Sequence, residues 1–189
     1  VFRGDKLALF VLGIITISKS LSYTRTLEQS FKTWKNALTT YQYGDYDGAI
    51  EEYKKGYPIL KKDGDFLMNY GKALSMNKQN KQAVQILEEV KQHLNTTIIE
   101  TALGDAYRGV KQYNEAEMAY QHAANMIPVR FYPLYLQAKL YEENGDDDKA
   151  IAMANTILNK KIKISSTAII EIKAEMKKML IKKPPGNKN

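Results

Sequence analysis

Cysteine is absent from this sequence, and histidine occurs twice in 189 residues, as His93 and His122. The first absence excludes a disulfide-stapled scaffold and a cysteine zinc site. The second leaves nothing from which to build a histidine cluster for metal ligation or acid–base chemistry. Most enzyme classes are set aside on these grounds, no catalytic constellation stands in their place, and neither a metal nor a cofactor is expected. An excess of one charge is also missing from most of the chain. The formal charge of +7 resides from Lys160 onward, where nine lysines meet only Glu171 and Glu175, so residues 1–159 are neutral in sum. A lysine-rich terminus favours acidic surfaces, but no aromatic residues interleave with these lysines for base stacking, and nucleic acid is not an expected partner.

What the sequence does hold is a repeat. The hexapeptide Gly44-Asp45-Tyr46-Asp47-Gly48-Ala49 aligns with segments ending at Ala83, Ala116 and Ala150, so the alanines fall 34, 33 and 34 residues apart. Twelve residues before each alanine is a small residue, Ala37, Gly71, Gly104 or Ala138, and four after it stands Tyr53, Leu87, Tyr120 or Ala154. Small residues at a helix crossing let two antiparallel helices approach to about 8–10 Å, and the larger residues fill the groove between them. Helix pairs are therefore expected at 27–43 with 46–59, 65–76 with 81–93, 97–110 with 113–126, and 131–143 with 147–158. Pro128 falls where the third pair should end, whereas Pro58 comes three places early in the first. Ser165-Ser166 offers the start of a further helix, in which Ile169, Ile172, Met176 and Met179 recur at helical spacing. Such a helix would cap the groove that the last pair leaves open.

Ahead of the repeats, Leu7 to Ile17 carries no charge, and the apolar stretch reaches Tyr23 if Ser18, Lys19 and Ser20 are tolerated. That length lies at the lower edge of the about 17–25 residues a spanning helix needs. A membrane helix or its C-terminal half, an extra core or capping helix, and the apolar region of a signal peptide all fit such a run. A helix apolar on every side is wrong for the outside of a solenoid, which calls for a polar stripe, so the leader argues for a membrane neighbour. The chain opens at Val1 rather than at methionine, as a processed product or a piece of a longer protein does. Lys19, Arg25, Lys32 and Lys35 follow the apolar run while Arg3 and Lys6 precede it, which leaves the side of the membrane open.

A 34-residue period of this kind is similar to the tetratricopeptide repeat. The fold it implies is all-α, a solenoid of about four helix pairs with a C-terminal capping helix, preceded by a hydrophobic helix. The domain boundaries expected are 1–23 for the leader, 24–158 for the repeats, 159–183 for the cap and 184–189 for a disordered tail. Further wording narrows the resemblance: Trp34-Lys35-Asn36-Ala37, Asp65-Phe66-Leu67-Met68-Asn69-Tyr70-Gly71, Gly104-Asp105-Ala106-Tyr107 and Ile127-Pro128-Val129-Arg130-Phe131-Tyr132-Pro133. With the leading apolar helix, this resembles the C-terminal tetratricopeptide domain behind the last membrane helix of bacterial O-antigen ligase and polymerase-like proteins. The resemblance implies a cell-envelope setting, association with a bacterial membrane through the N-terminal helix, and a role in polysaccharide assembly. Glycan transfer in that family belongs to a polytopic part absent from this sequence, so no catalytic residue carries over. A free-standing envelope adaptor for protein–protein contacts, unrelated to glycans, is the alternative.

Tetratricopeptide domains bind ligands on the concave face lined by the first helix of each pair. Projecting that face selects Trp34, Leu38 and Tyr41, then Met68, Lys72 and Ser75, then Thr101, Asp105 and Arg108, then Tyr135, Lys139 and Glu142. The candidate groove residues are thus Trp34, Tyr41, Met68, Lys72, Asp105, Arg108, Tyr135 and Lys139. Lys72, Arg108 and Lys139 on an aromatic-lined groove suit a protein or peptide carboxylate, or an anionic or lipid-linked glycan, because charge-assisted hydrogen bonds are strong and rings add area at low entropy cost. The two-lysine, two-asparagine clamp of chaperone-binding members is not reproduced. Asp146-Asp147-Asp148 lacks the alternation and terminal glutamate of a calcium loop and is explained by the dipole of the helix it opens. His93 and His122, near the ends of second helices, are expected in surface or packing roles.

Overall fold

The computed structural model describes residues 3–182, so the expected disordered tail at 184–189 lies outside the described residues. Nine helices and no strand occur among the described residues: α1 (Arg3–Gln42), α2 (Tyr46–Leu60), α3 (Gly64–Met76), α4 (Asn80–Lys91), α5 (Thr97–Gly109), α6 (Tyr113–Met126), α7 (Tyr132–Asn144), α8 (Asp147–Asn159) and α9 (Thr167–Lys182). Several starts are fixed by side-chain caps. The Asp45, Asp63 and Thr96 oxygens accept from the backbone N–H of Gly48 (2.9 Å), Phe66 (2.9 Å) and Ile99 (3.3 Å), satisfying donors that a helix N-terminus leaves open. Ser166 receives the Ile169 N–H in the same way ahead of α9 (3.3 Å).

The first residue of each aligned hexapeptide turns out to share one conformation. Gly44, Lys78, Lys111 and Gly145 all have positive φ, at 80°, 60°, 62° and 79°. Each reverses the chain between the two helices of a pair, a left-handed step that glycine takes freely and a lysine takes at a cost. At Gly145 the closing bonds run from the Asp146 N–H to the Tyr141 carbonyl (2.9 Å) and from the Gly145 N–H to Glu142 (3.4 Å).

Packing within pairs follows the small-to-large rule read from the sequence. A Cβ added to Gly71 would stand 2.6 Å from Leu87, and one added to Gly104 would stand 2.3 Å from the Tyr120 ring. Ala37, Ala49, Ala83, Ala116, Ala138 and Ala150 are fully buried. An aromatic cluster joins the first two pairs: Trp34 meets Phe66 edge-on (5.7 Å) and Tyr53 stacks on Tyr70 (5.4 Å). The far end is closed by Ile172, Met176 and Met179 of α9 against Ala154 and Ile157 of α8.

One local expectation needs correction. The leader and the first repeat helix, read as separate elements, are one 40-residue helix, about 60 Å long at 1.5 Å per residue. The stretch between them holds no proline or glycine, and its hydroxyls bond the helix's own carbonyls: Thr24 to Ser20 (2.9 Å), Thr26 to Ser22 (3.0 Å), Ser30 to Thr26 (2.9 Å) and Thr33 to Gln29 (2.9 Å). Helix α2, expected over 46–59, spans Tyr46–Leu60 and includes Pro58. The proline lies in the last turn, where losing one N–H costs little before the chain turns away.

The apolar part of this helix is exposed. Leu7, Leu9, Phe10, Leu12, Ile14, Ile15 and Ile17 are between 44% and 70% accessible, and nothing lies within 4 Å of where a Cβ on Gly13 would stand. It is the one helix among the described residues long and apolar enough to cross a bilayer. The packed-core alternative for the leader is therefore not what the fold adopts.

Candidate functional site

Helices α1, α3, α5 and α7 run parallel and line a groove of about 370 Å³. Five of the twelve residues projected onto the concave face border it: Tyr41 from α1, Lys72 and Ser75 from α3, and Thr101 and Asp105 from α5. Met76, Thr97, Ile98 and Ala102 complete the near wall, and Arg130, Tyr132 and Pro133 form the far one. Lys72 has no ion-pair partner among the described residues, and its ammonium lies 6.0 Å from the centre of the Tyr41 ring. Arg130 enters from the α6–α7 turn, oriented by a bond from its guanidinium to the Thr97 hydroxyl (2.9 Å). Met76 and Ile98, 52% and 45% accessible, give this wall an apolar character.

Asp105 is the acid of the groove. Its carboxylate accepts the Tyr120 hydroxyl proton (2.6 Å) with Arg108 3.9 Å away. Burial raises its pKa above the usual carboxylate value, and the Tyr120 hydrogen bond and the Arg108 charge offset only part of this. Tyr41 is raised by burial, and Tyr132 by burial and then by the negative charge of Asp105, so both rings stay neutral donors over the physiological range.

The other projected residues go elsewhere. Trp34 and Met68 pack against the core beneath the groove floor. Arg108 reaches across to Glu143 (3.7 Å), and Lys139 pairs with Glu142 one turn along its own helix, so neither is a free cation facing a ligand. Tyr135 stacks on Tyr132 (6.2 Å) and donates its hydroxyl to Glu175 (2.8 Å), and burial with that bond pushes its pKa up to about 12. The expectation that Lys72, Arg108 and Lys139 share one groove thus fails, and the cation opposite Lys72 is Arg130. That arginine sits between repeats, where projection of the first helices does not look.

A second polar constellation lies on the opposite, convex side. Glu100 is fully buried, its oxygens 3.1 Å from Lys91 Nζ and 2.8 Å from His122 Nδ1. A buried carboxylate requires such partners, and here they tie α4, α5 and α6 together. His122 reaches Glu100 from the surface, its side chain 47% accessible, and His93 is exposed in the turn after α4. No group of histidines and carboxylates suited to a metal occurs among the described residues.

Comparison with known proteins bears on the repeats. Residues 31–93 match a family model described as YpiA-like, C-terminal tetratricopeptide repeats, and residues 101–129 match the model for the tetratricopeptide repeat. No curated protein matches the sequence. Among solved structures, TTC0263, a thermophilic TPR protein in Thermus thermophilus, is similar at 17% identity and a TM-score of 0.64, over 93% of this chain and 95% of that one. MamA from Desulfovibrio magneticus RS-1 is similar at 17% identity and a TM-score of 0.65, over 82% and 85%. The Arabidopsis OM64 TPR domain gives 16% identity and a TM-score of 0.58, over 62% and 98%. At these identities the likeness concerns the fold, a tetratricopeptide-type helical solenoid, and the two family models place tetratricopeptide repeats at residues 31–93 and 101–129 of it.

Proposed function

We propose that this chain is a membrane-anchored scaffold whose concave groove docks an extended protein or peptide segment that presents a carboxylate beside an apolar side chain. The observation that carries the reading is the pairing of Lys72 and Arg130 with the exposed Met76 and Ile98 across one groove. The two cations supply charge-assisted hydrogen bonds, while Met76, Ile98 and the Tyr41 and Tyr132 rings offer apolar area. Asp105 between them disfavours a segment that carries a second carboxylate at the centre, so the preferred ligand has its acid toward one end. The anchor is the exposed apolar half of α1.

The finer form of this reading places the domain behind the last membrane helix of an O-antigen ligase or polymerase-like protein, with an acidic or lipid-linked glycan as the occupant of the groove. The unbroken passage of the apolar helix into the first repeat favours it, because a domain appended to a terminal span needs no linker.

The test is a titration of detergent-solubilised chain against three sets of octapeptides: acidic–apolar, their C-terminally amidated neutral counterparts, and basic–apolar. Only the first set should bind, and Lys72→Glu with Arg130→Glu should lose that binding while helical content is unchanged. Added salt should weaken the wild-type complex. Equal binding of acidic and basic sets, or indifference to the double reversal, overturns the groove assignment. Binding of an acidic oligosaccharide in preference to every peptide would select the glycan form.

A further inference from the structure

The way α1 meets the repeats gives the solenoid a definite membrane-facing edge. Trp34 lies against Phe66 near the start of α3, and Tyr41 lies beside Lys72 further along it, so α1 and α3 run in the same direction. The apolar half of α1 therefore projects beyond the starts of α3, α5, α7 and α9. The turns on that edge are 61–63, 92–96, 127–131 and 160–166.

Among the described residues these turns carry Lys61, Lys62, Arg130, Lys160, Lys161 and Lys163 against a single acid, Asp63. The opposite edge is different. Its turns hold Lys78 and Lys111 against Asp45 and Asp146, and the first three positions of the helices behind them add Asp47, Glu115, Asp147 and Asp148 against Lys81 and Lys149, whereas the same positions on the basic edge add only Asp65. The basic edge is also apolar at its tips: Val129 is 53% accessible, Ile162 42% and Ile164 82%. Two of its turns form one surface, because Lys160 donates to the Pro128 carbonyl (2.6 Å) across the α6–α7 and α8–α9 connections. Lys173 braces the same segment through the carbonyls of Leu158 (2.8 Å) and Lys160 (3.0 Å).

We propose that this edge, centred on Lys161-Ile162-Lys163-Ile164, seats on the anionic lipid surface into which α1 inserts. Lysine and arginine side chains close to an anionic leaflet are attracted electrostatically, and isoleucines between them enter the headgroup boundary. With the tip of α9's approach loop and the root of α1 both on the bilayer, the solenoid is held at two ends, and its groove opens along the membrane plane rather than away from it. The inference rests on the membrane reading of α1, and the experiment separates the two.

The absence of native cysteine makes site-specific labelling clean. Full-length chain carrying Ile164→Cys, and separately Asp146→Cys on the opposite edge, is labelled with an environment-sensitive dye. Each protein is mixed with vesicles of zwitterionic lipid alone or with one-third anionic lipid. With anionic vesicles the dye at 164 should become about threefold less accessible to iodide, and the dye at 146 should not change. High salt should restore accessibility at 164 while the protein still floats with the vesicles, since α1 is held by apolar burial. Lys161→Glu with Lys163→Glu should abolish the protection without preventing flotation. A chain that floats yet leaves the dye at 164 equally quenched in both lipids overturns the seated edge and leaves the membrane reading standing. Failure to float overturns both. Protection at 164 without any vesicles means that a second copy covers the edge, and this too overturns the proposal.

Discussion

The two halves of α1 share one uninterrupted backbone and nothing else. From Leu7 to Ile17 the helix is apolar on every side and exposed on every side. From Ser30 to Gln42 it is amphipathic, with Ser30, Thr33 and Ala37 buried against α2 and Trp34 wedged between Phe31 and Phe66. The difference teaches that helix continuity and tertiary partnership are separate matters. Local hydrogen bonding carries the helix through the hydroxyl-rich junction, whereas only the second half has the small-to-large complementarity that commits it to a neighbour. The first half has no partner among the described residues, and in the proposed reading lipid covers its uniform apolar surface.

The largest expected effect sharpens this contrast at a packed crossing. Gly104→Leu drives a side chain into the Tyr120 ring, 2.3 Å from where its first atom would stand, and should destabilise the domain by about 3 kcal/mol or more. Gly13→Leu, with nothing within 4 Å, should leave stability unchanged or slightly raised, by about 0.8 kcal/mol at most, because leucine is the better helix former. Denaturant unfolding in mild detergent, followed by circular dichroism, reads both. Similar losses for the two variants would mean that the leader packs on something after all.

Next in size is a charge placed in the unpartnered half. Ile14→Lys should cost about 2.5–3.5 kcal/mol of membrane insertion. It should leave the thermal midpoint of the repeats where it was. Vesicle flotation and a melting curve on the same preparation separate the two effects, and a lowered midpoint without lost flotation would reverse the assignment.

A smaller effect of opposite sign is expected at the turns. Lys78 and Lys111 occupy the left-handed conformation that glycine fills at residues 44 and 145. Lys78→Gly and Lys111→Gly should each stabilise the repeats by about 0.5–1 kcal/mol, the relief of the left-handed backbone less the added freedom of glycine in the unfolded chain. Chemical denaturation midpoints check this. Destabilisation at both sites would show that the lysine side chains contribute more than their backbone costs.

Much of the architecture is legible in the sequence because its cause is periodic. Gly71 with Leu87 and Gly104 with Tyr120 are separated by the same sixteen residues, and both pairs are in contact. The left-handed turns are marked by the alignment of Lys78 and Lys111 with two glycines. The groove is only partly legible, for two physical reasons. Which residues face it depends on how each pair is rotated against the next, so it draws on the end of α3, at Ser75 and Met76, but on the start of α5, at Thr97 and Ile98. Ion pairs across 35 residues, such as Arg108 with Glu143, then take cations out of play without leaving any local mark. Glu100 shows the same limit, since an acid in the first turn of a helix reads as a dipole partner until burial places Lys91 and His122 on it.

The most direct single measurement is a depth profile along α1. Leu12→Cys and Asn36→Cys in the full-length chain, spin-labelled and mixed with lipid vesicles, report collisions with oxygen and with a water-soluble nickel complex. Residue 12 should collide with oxygen and be shielded from nickel only when vesicles are present, while residue 36 stays open to nickel throughout. Equal exposure of both residues to nickel in the presence of vesicles would contradict a membrane-inserted helix fused to a tetratricopeptide scaffold.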